Sequence, residues 1–78
     1  MFEESDINKA IYIYPVHGLP YYALIVGKDE ILVGDGSVED KTRYSRYRLG
    51  TFHRWKFAPE KNPSDFGLVW NEDLKVWE

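Results

Sequence analysis

The chain has no cysteine, a single methionine and only two histidines among its 78 residues. No disulfide, thiolate nucleophile or cysteine-ligated metal is therefore open to it. Long hydrophobic runs are missing too. The longest apolar stretch, residues 21–26, is far short of the ~20 residues that a membrane-spanning helix needs. No basic segment followed by an apolar one marks a signal peptide. A soluble cytoplasmic protein without membrane association or cofactor is the default expectation. Acid is absent from one place in particular. Between residues 41 and 56 stand Lys41, Arg43, Arg46, Arg48, Arg54 and Lys56 with no aspartate or glutamate among them.

The remainder of the chain carries thirteen acids against Lys9, Lys28, Lys61 and Lys75. A segment at +6 thus sits in surroundings at −9, for a net charge of −3. Aromatic residues are abundant: three Trp, six Tyr and four Phe, or 17%. A chain of this length forms one domain, 1–78, and buries only about 60% of its unfolded surface. Aromatic side chains, at roughly 150–250 Å² each, are one way to make so thin a core sufficient.

Along the chain, "MFEESDIN" is polar and acidic and predicts a frayed or loosely docked terminus over 1–8. "KAIYIYP" reads as a strand, with Ile11 and Ile13 on one face and Tyr12 and Tyr14 on the other. "HGLP" is a turn. "YYALIVG" and "ILVG" follow as two further strands, close enough in sequence to pair as antiparallel hairpins. "GDGSVEDKTRYSRYRLG" predicts a short helix over about 38–48. Ser37 is its N-cap, Glu39 and Asp40 stand in the first turn, Arg46 and Arg48 in the last, and Gly50 takes a left-handed C′ position. Glu39 and Arg43 form an i,i+4 pair. The rival reading is a strand over 43–48 turning at Leu49–Gly50. "TFHRWKF" alternates as a strand with Thr51, His53, Trp55 and Phe57 on one face, Trp55 and Phe57 pointing inward. "APEKNPSD" is a loop, and "FGLVWNEDLKVWE" a terminal hairpin. In that hairpin Phe66, Leu68 and Trp70 share a face, Leu74 and Val76 oppose them, and Trp77 points to the other side. The fold class is α+β, mainly β: three strands, a short helix, then two or three strands. They form either a small antiparallel sheet or a partly open barrel of the OB type.

Candidate chemistry is sparse. His17 stands beside a turn glycine and His53 on a strand, and no local spacing brings Ser37 or Ser45 to either. His53 reads as a residue at the edge of the core bonded to a backbone group. "DGSVED" starts like a calcium loop, with Asp35, Ser37 and Glu39 at alternate positions. The glycine and glutamate such a loop requires further on are replaced by Asp40 and Arg46. "VGDGS" before a helix start resembles a phosphate cradle, but Asp35, Glu39 and Asp40 would repel an anion and no suitably placed lysine follows. No catalytic residue and no metal ligand is assigned.

What remains is "TRYSRYRLGTFHRWKF". Arginines with aromatics mark protein interfaces and single-strand nucleic-acid grooves alike. The acidic remainder favours a protein partner, because nearby carboxylates subtract from phosphate affinity while a bipolar surface steers protein association. The expected function is a non-enzymatic binding module, inhibitory or modulatory in role, that contacts another protein or a second copy of itself. Its contact set is Arg43, Tyr44, Arg46, Tyr47, Arg48 and Arg54. The alternative is a single-stranded nucleic-acid-binding domain using the same surface with Phe52. Tyr12, Tyr14, Tyr21 and Tyr22 would form a second exposed patch if one sheet face is open.

Overall fold

The computed structural model describes residues 2–34, 44–50 and 53–78. Five strands form one antiparallel sheet: β1 (Ala10–Tyr14), β2 (Tyr21–Ile25), β3 (Glu30–Gly34), β4 (Tyr44–Arg48) and β5 (Arg54–Phe57). Their order is β4-β3-β2-β1-β5, so β4 and β5 are the two edges. Two short strands, β6 (Trp70–Asn71) and β7 (Val76–Trp77), make a separate hairpin. The described residues include two 3-10 turns, Glu4–Asp6 and Pro63–Phe66. None of their helical segments is long and apolar enough to cross a membrane.

The first three strands lie where their β-branched and aromatic residues predict. β1 is central, paired with β2 on one side and β5 on the other. Strand alternation divides the core between the two sheet faces. On one face Ile11, Ile13, Ala23, Ile25 and Ile31 pack with Phe2 and Leu49. On the other, Ala10, Leu24 and Leu32 pack with Ala58 and Phe66. Ile11 and Ile13 are wholly buried, each contributing roughly 2–3 kcal/mol of transfer free energy.

Residues 44–48 correct the helix expected over 38–48. They form β4, and the remaining 38–43, with the Ser37 cap and the Glu39–Arg43 pair, lie outside the described residues. The register Ile31↔Tyr47, Leu32↔Arg46 and Val33↔Ser45 gives this segment a full ladder on β3. Paired backbone and cross-strand contacts outweigh end-of-helix preferences worth about 1 kcal/mol each. Among the described residues the glycines in the left-handed region are Gly18 and Gly67, and Gly50 is not one of them. Its carbonyl instead accepts from the His53 amide, and His53 Nδ1 lies 3.3 Å from the same oxygen. The expected role of His53 as a half-buried residue bonded to backbone agrees with this contact.

The N-terminus is docked where a frayed end was expected. Phe2 is 5% exposed and meets Trp55 edge-to-face at 5.2 Å, while its amide donates to the Lys28 carbonyl. A capping box at Glu3 and Asp6 closes the intervening turn. The Glu3 amide first, and Lys9 further, hold the Asp6 carboxyl below its ordinary range. Asn8, at φ 76°, is the left-handed residue of a bulge: its amide donates to the Ile25 carbonyl, and the Ile25 amide donates to the Lys9 carbonyl. The bulge turns the terminal segment into β1.

The terminal hairpin also differs in detail. Phe66 belongs to the 3-10 turn, capped by Asn62, opened by Pro63 and closed by left-handed Gly67. It covers the second core rather than extending the hairpin. Trp70 and Trp77 are register partners whose rings meet at 5.4 Å, so they share a face. Leu74 is 65% exposed at the turn rather than opposing Phe66. Phe57, expected inward, is 46% exposed because it ends an edge strand, with the Lys9 ammonium 5.5 Å from its ring centroid.

Substitutions at two positions test the docked terminus. Phe2→Ala should lower unfolding free energy by about 3 kcal/mol in urea titration; a loose end would give a change under about 0.5 kcal/mol. Asn8→Val, which forces a β-branched residue to positive φ, should cost about 1–2 kcal/mol. Asn8→Gly should stay within about 0.5 kcal/mol of the parent.

Candidate functional site

The burial of Ile11 and Ile13 forces Tyr12 and Tyr14 onto the opposite sheet face. Register then assembles their neighbours. Tyr12 stands between Tyr22 of β2 and Lys56 of β5, and Tyr14 stands opposite Arg54. The result is a row of Tyr22, Tyr12 and Lys56 across three strands, with Tyr14 and Arg54 in the row beside it. Tyr14 and Tyr22 are exposed and Tyr12 is half-buried.

The rings hold one another in place. Tyr12 meets Tyr14 edge-to-face at 5.3 Å and Tyr22 at a tilted 4.7 Å. Ammonium groups cap two of them: Lys56 Nζ is 5.8 Å from the Tyr12 centroid and Lys61 Nζ is 5.0 Å from that of Tyr22. Such contacts contribute roughly 0.5–1 kcal/mol at exposed sites. The Tyr22 hydroxyl donates to Glu60 Oε1 at 3.2 Å, tying the loop after β5 to β2. Desolvation by its surroundings first, and the Glu60 carboxylate second, push the Tyr22 phenol above its ordinary value. The site is thus an aromatic platform with three cations, Arg54, Lys56 and Lys61, along its border.

The structure splits the expected contact set. Arg46, Tyr47 and Arg48 lie on β4, at the sheet edge opposite Arg54 on β5. Four inter-strand steps, about 19 Å along the sheet, separate the two strands. Arg46 and Arg48 share the tyrosine face by register, but Phe66 packs on Leu24 and Leu32 between them and the tyrosines. Arg46 pairs with Glu30 at 3.5 Å, both side chains exposed. Tyr47 is on the other face, half-exposed. Tyr44 opens β4 opposite Gly34, and Arg43 and Phe52 lie outside the described residues. Of the four tyrosines expected as a second patch, Tyr12, Tyr14 and Tyr22 come together, while Tyr21 packs with Ile11 and Ile13 on the first core's face. Lys56 was legible from the alternation of β5, whereas Lys61 and Glu60 sit in a loop whose sequence carries no sign of where it folds back.

Beside the platform, a groove of about 420 Å³ runs past Phe57, floored by Ala10, Ala58, Pro59 and Pro63, with Lys9 and Lys61 among its lining residues. His17 is exposed next to Gly18 in the β1–β2 connection. Among the described residues no group of three or more His, Cys, Asp or Glu side chains is placed to hold a metal ion. Compared with known protein families, curated proteins and solved structures, the chain matches none.

The raised Tyr22 phenol has a definite pH signature. The fold favours the neutral form, so the stability it contributes is complete below the ordinary tyrosine value of about 10 and is lost as pH rises through the raised one. Glu60→Gln removes the charge of the carboxylate that contributes to this rise. The Tyr22 ring titration, followed by NMR of its ring carbons, should move down toward the ordinary value; an unchanged midpoint would show that Glu60 does not act on it.

Proposed function

We propose that this protein is a non-enzymatic binding module that contacts another protein through the face formed by Tyr12, Tyr14, Tyr22, Arg54, Lys56 and Lys61. The observation that carries the reading is the tyrosine cluster itself: rings in mutual contact on two paired strands and bordered by cations. Tyrosine provides large contact area with a polar tip at low entropic cost, and it is enriched where interfaces concentrate their binding energy. The cations select an acidic partner, and the chain's net charge of −3 leaves the opposite sign elsewhere on the molecule, which orients the encounter. Relative to the contact set expected from sequence, this moves the interface from β4 to β1, β2 and β5 and keeps Arg54. A modulatory or inhibitory role fits a module that works by occupying a partner's surface.

Single-stranded nucleic acid is the second reading, since exposed rings beside cations are also how bases and phosphates are held. Its weakness is geometric as well as electrostatic. Tyr12 and Tyr22 each carry an ammonium over the ring, which a stacking base would have to displace.

Affinity capture from cell lysate tests the two together. The tagged protein should retain a partner protein that Tyr14→Ala with Lys56→Glu releases and Arg48→Glu does not. Labelled single-stranded oligonucleotide should leave the Tyr12, Tyr14 and Tyr22 resonances unmoved at low salt. Oligonucleotide binding at those rings that falls steeply with salt would overturn the protein reading in favour of the nucleic-acid one.

A further inference from the structure

β5 ends the sheet, and the phase of its hydrogen bonds can be read. The Ala58 amide donates to the Ala10 carbonyl at 2.9 Å. Because bonded and non-bonded pairs alternate in an antiparallel ladder, the pairs Tyr12–Lys56 and Tyr14–Arg54 also turn their backbone groups toward each other. The amides and carbonyls of Trp55 and Phe57 therefore point outward, and no strand among the described residues pairs with them. An edge of this kind is a template for an added strand.

The side chains beside that edge specify what the strand would carry. On one face are Trp55 and Phe57, rings 5.1 Å apart and Phe57 46% exposed. On the other are Arg54 and Lys56, both exposed. A second copy is a poor occupant. An antiparallel copy that bonds Trp55 to Phe57 places Lys56 directly opposite Lys56, and like charges in that position repel. An acidic strand reverses the sign. Its carboxylates fall beside Arg54 and Lys56, and its alternate residues fall beside Trp55 and Phe57. Past Phe57 the edge opens into the groove floored by Ala58, Pro59 and Pro63, with Lys9 and Lys61 in its lining.

We propose that the outer edge of β5 takes up an extended acidic segment of the partner protein as a sixth strand, with acidic residues alternating with apolar ones and one apolar residue anchored in the groove beside Phe57. This inference rests on the protein-binding reading above and names the partner's chemistry and its backbone geometry. The tyrosine platform then lies beside the acidic side of the added strand, where its phenols and Lys61 widen the contact.

A short capped peptide alternating glutamate and isoleucine is the probe. On titration into the isotopically labelled protein it should shift the Trp55 and Phe57 amides, and at saturation slow their hydrogen exchange by about tenfold or more. The same peptide N-methylated at alternate residues along the side that bonds β5 should lose binding, and a lysine–isoleucine peptide should not bind. Arg54→Glu with Lys56→Glu should exchange the two preferences, rejecting the glutamate peptide and accepting the lysine one. Equal binding of the N-methylated and unmodified peptides, shifts confined to side chains of the tyrosine face, or no binding of the glutamate peptide would overturn the strand-addition inference. The captured partner's dependence on Tyr14 and Lys56 would survive those results, so the failure of this inference is distinguishable from failure of the binding reading, which oligonucleotide binding would bring down.

Discussion

Ile11 and Ile13 are fully buried in the middle of the sheet, and most of the remaining architecture follows from how they are held. β1 is hydrogen-bonded on both sides, so its register is fixed by β2 and β5 together. Side chains on a strand alternate, and a slip of one residue would bury Tyr12 and Tyr14 and expose both isoleucines. Two lost isoleucine burials amount to roughly 4–6 kcal/mol, a large part of the stability available to a domain of this size. The tyrosine platform is thus held by the core on the far side of the sheet. Its geometry is as rigid as β1 itself, and no loop has to order for the rings to meet.

A sheet with apolar residues on both faces needs covering twice, and among the described residues, whose helical segments are two 3-10 turns, aromatics carried on those turns take part in it. Phe2, carried by the N-terminal turn, covers the Ile11–Ile13 side beside Trp55. Phe66, carried by the Pro63–Phe66 turn, covers Leu24 and Leu32 on the other. The second lid has a consequence for function. It closes the middle of the tyrosine face, leaves the tyrosines of β1 and β2 open toward β5, and leaves Arg46 and Arg48 beyond it beside Glu30. A basic segment that is continuous in sequence becomes two surfaces in space.

How much of this was legible in the sequence depends on the range of the interaction responsible. β1, β2 and β3 are written locally, as runs of β-branched and aromatic residues between turn residues, and they fold where those runs lie. The alternation of β5 is equally local and gives Trp55 and Lys56 their opposite faces. Residues 44–48 carry helix-end preferences that are also local, but β3 offers them a complete ladder, and that is a long-range fact invisible in their own composition. The docked terminus was hidden because only Phe2 and Ile7 do the packing among polar neighbours. The signals around Phe66 were present: Asn62 before Pro63, Asp65 three residues on, Gly67 after. They mark a capped turn. The candidate site was half legible: Tyr12, Tyr14 and Tyr22 were visible as one conditional patch and Arg54 as a contact, but only topology joins them.

Both edge strands bear outward cations, Arg46 and Arg48 on β4, Arg54 and Lys56 on β5. Charge on an exposed edge is a common defence against pairing with copies of the same chain, because identical edges bring identical charges together. The same charges do not repel a strand of opposite sign. In the proposed mode of binding, protection from self-association and selection of an acidic partner are one property, set by the sign of two side chains on β5. The two edges differ in what lies next to them. β4 is flanked by Glu30, which already neutralises Arg46 in part. β5 is flanked by Tyr12, Tyr14 and the groove past Phe57, with Arg54 outside any ion pair among the described residues and Lys56 set over a ring rather than a carboxylate. Unneutralised charge beside apolar surface is what a complementary strand can use, and it lies on β5 rather than on β4.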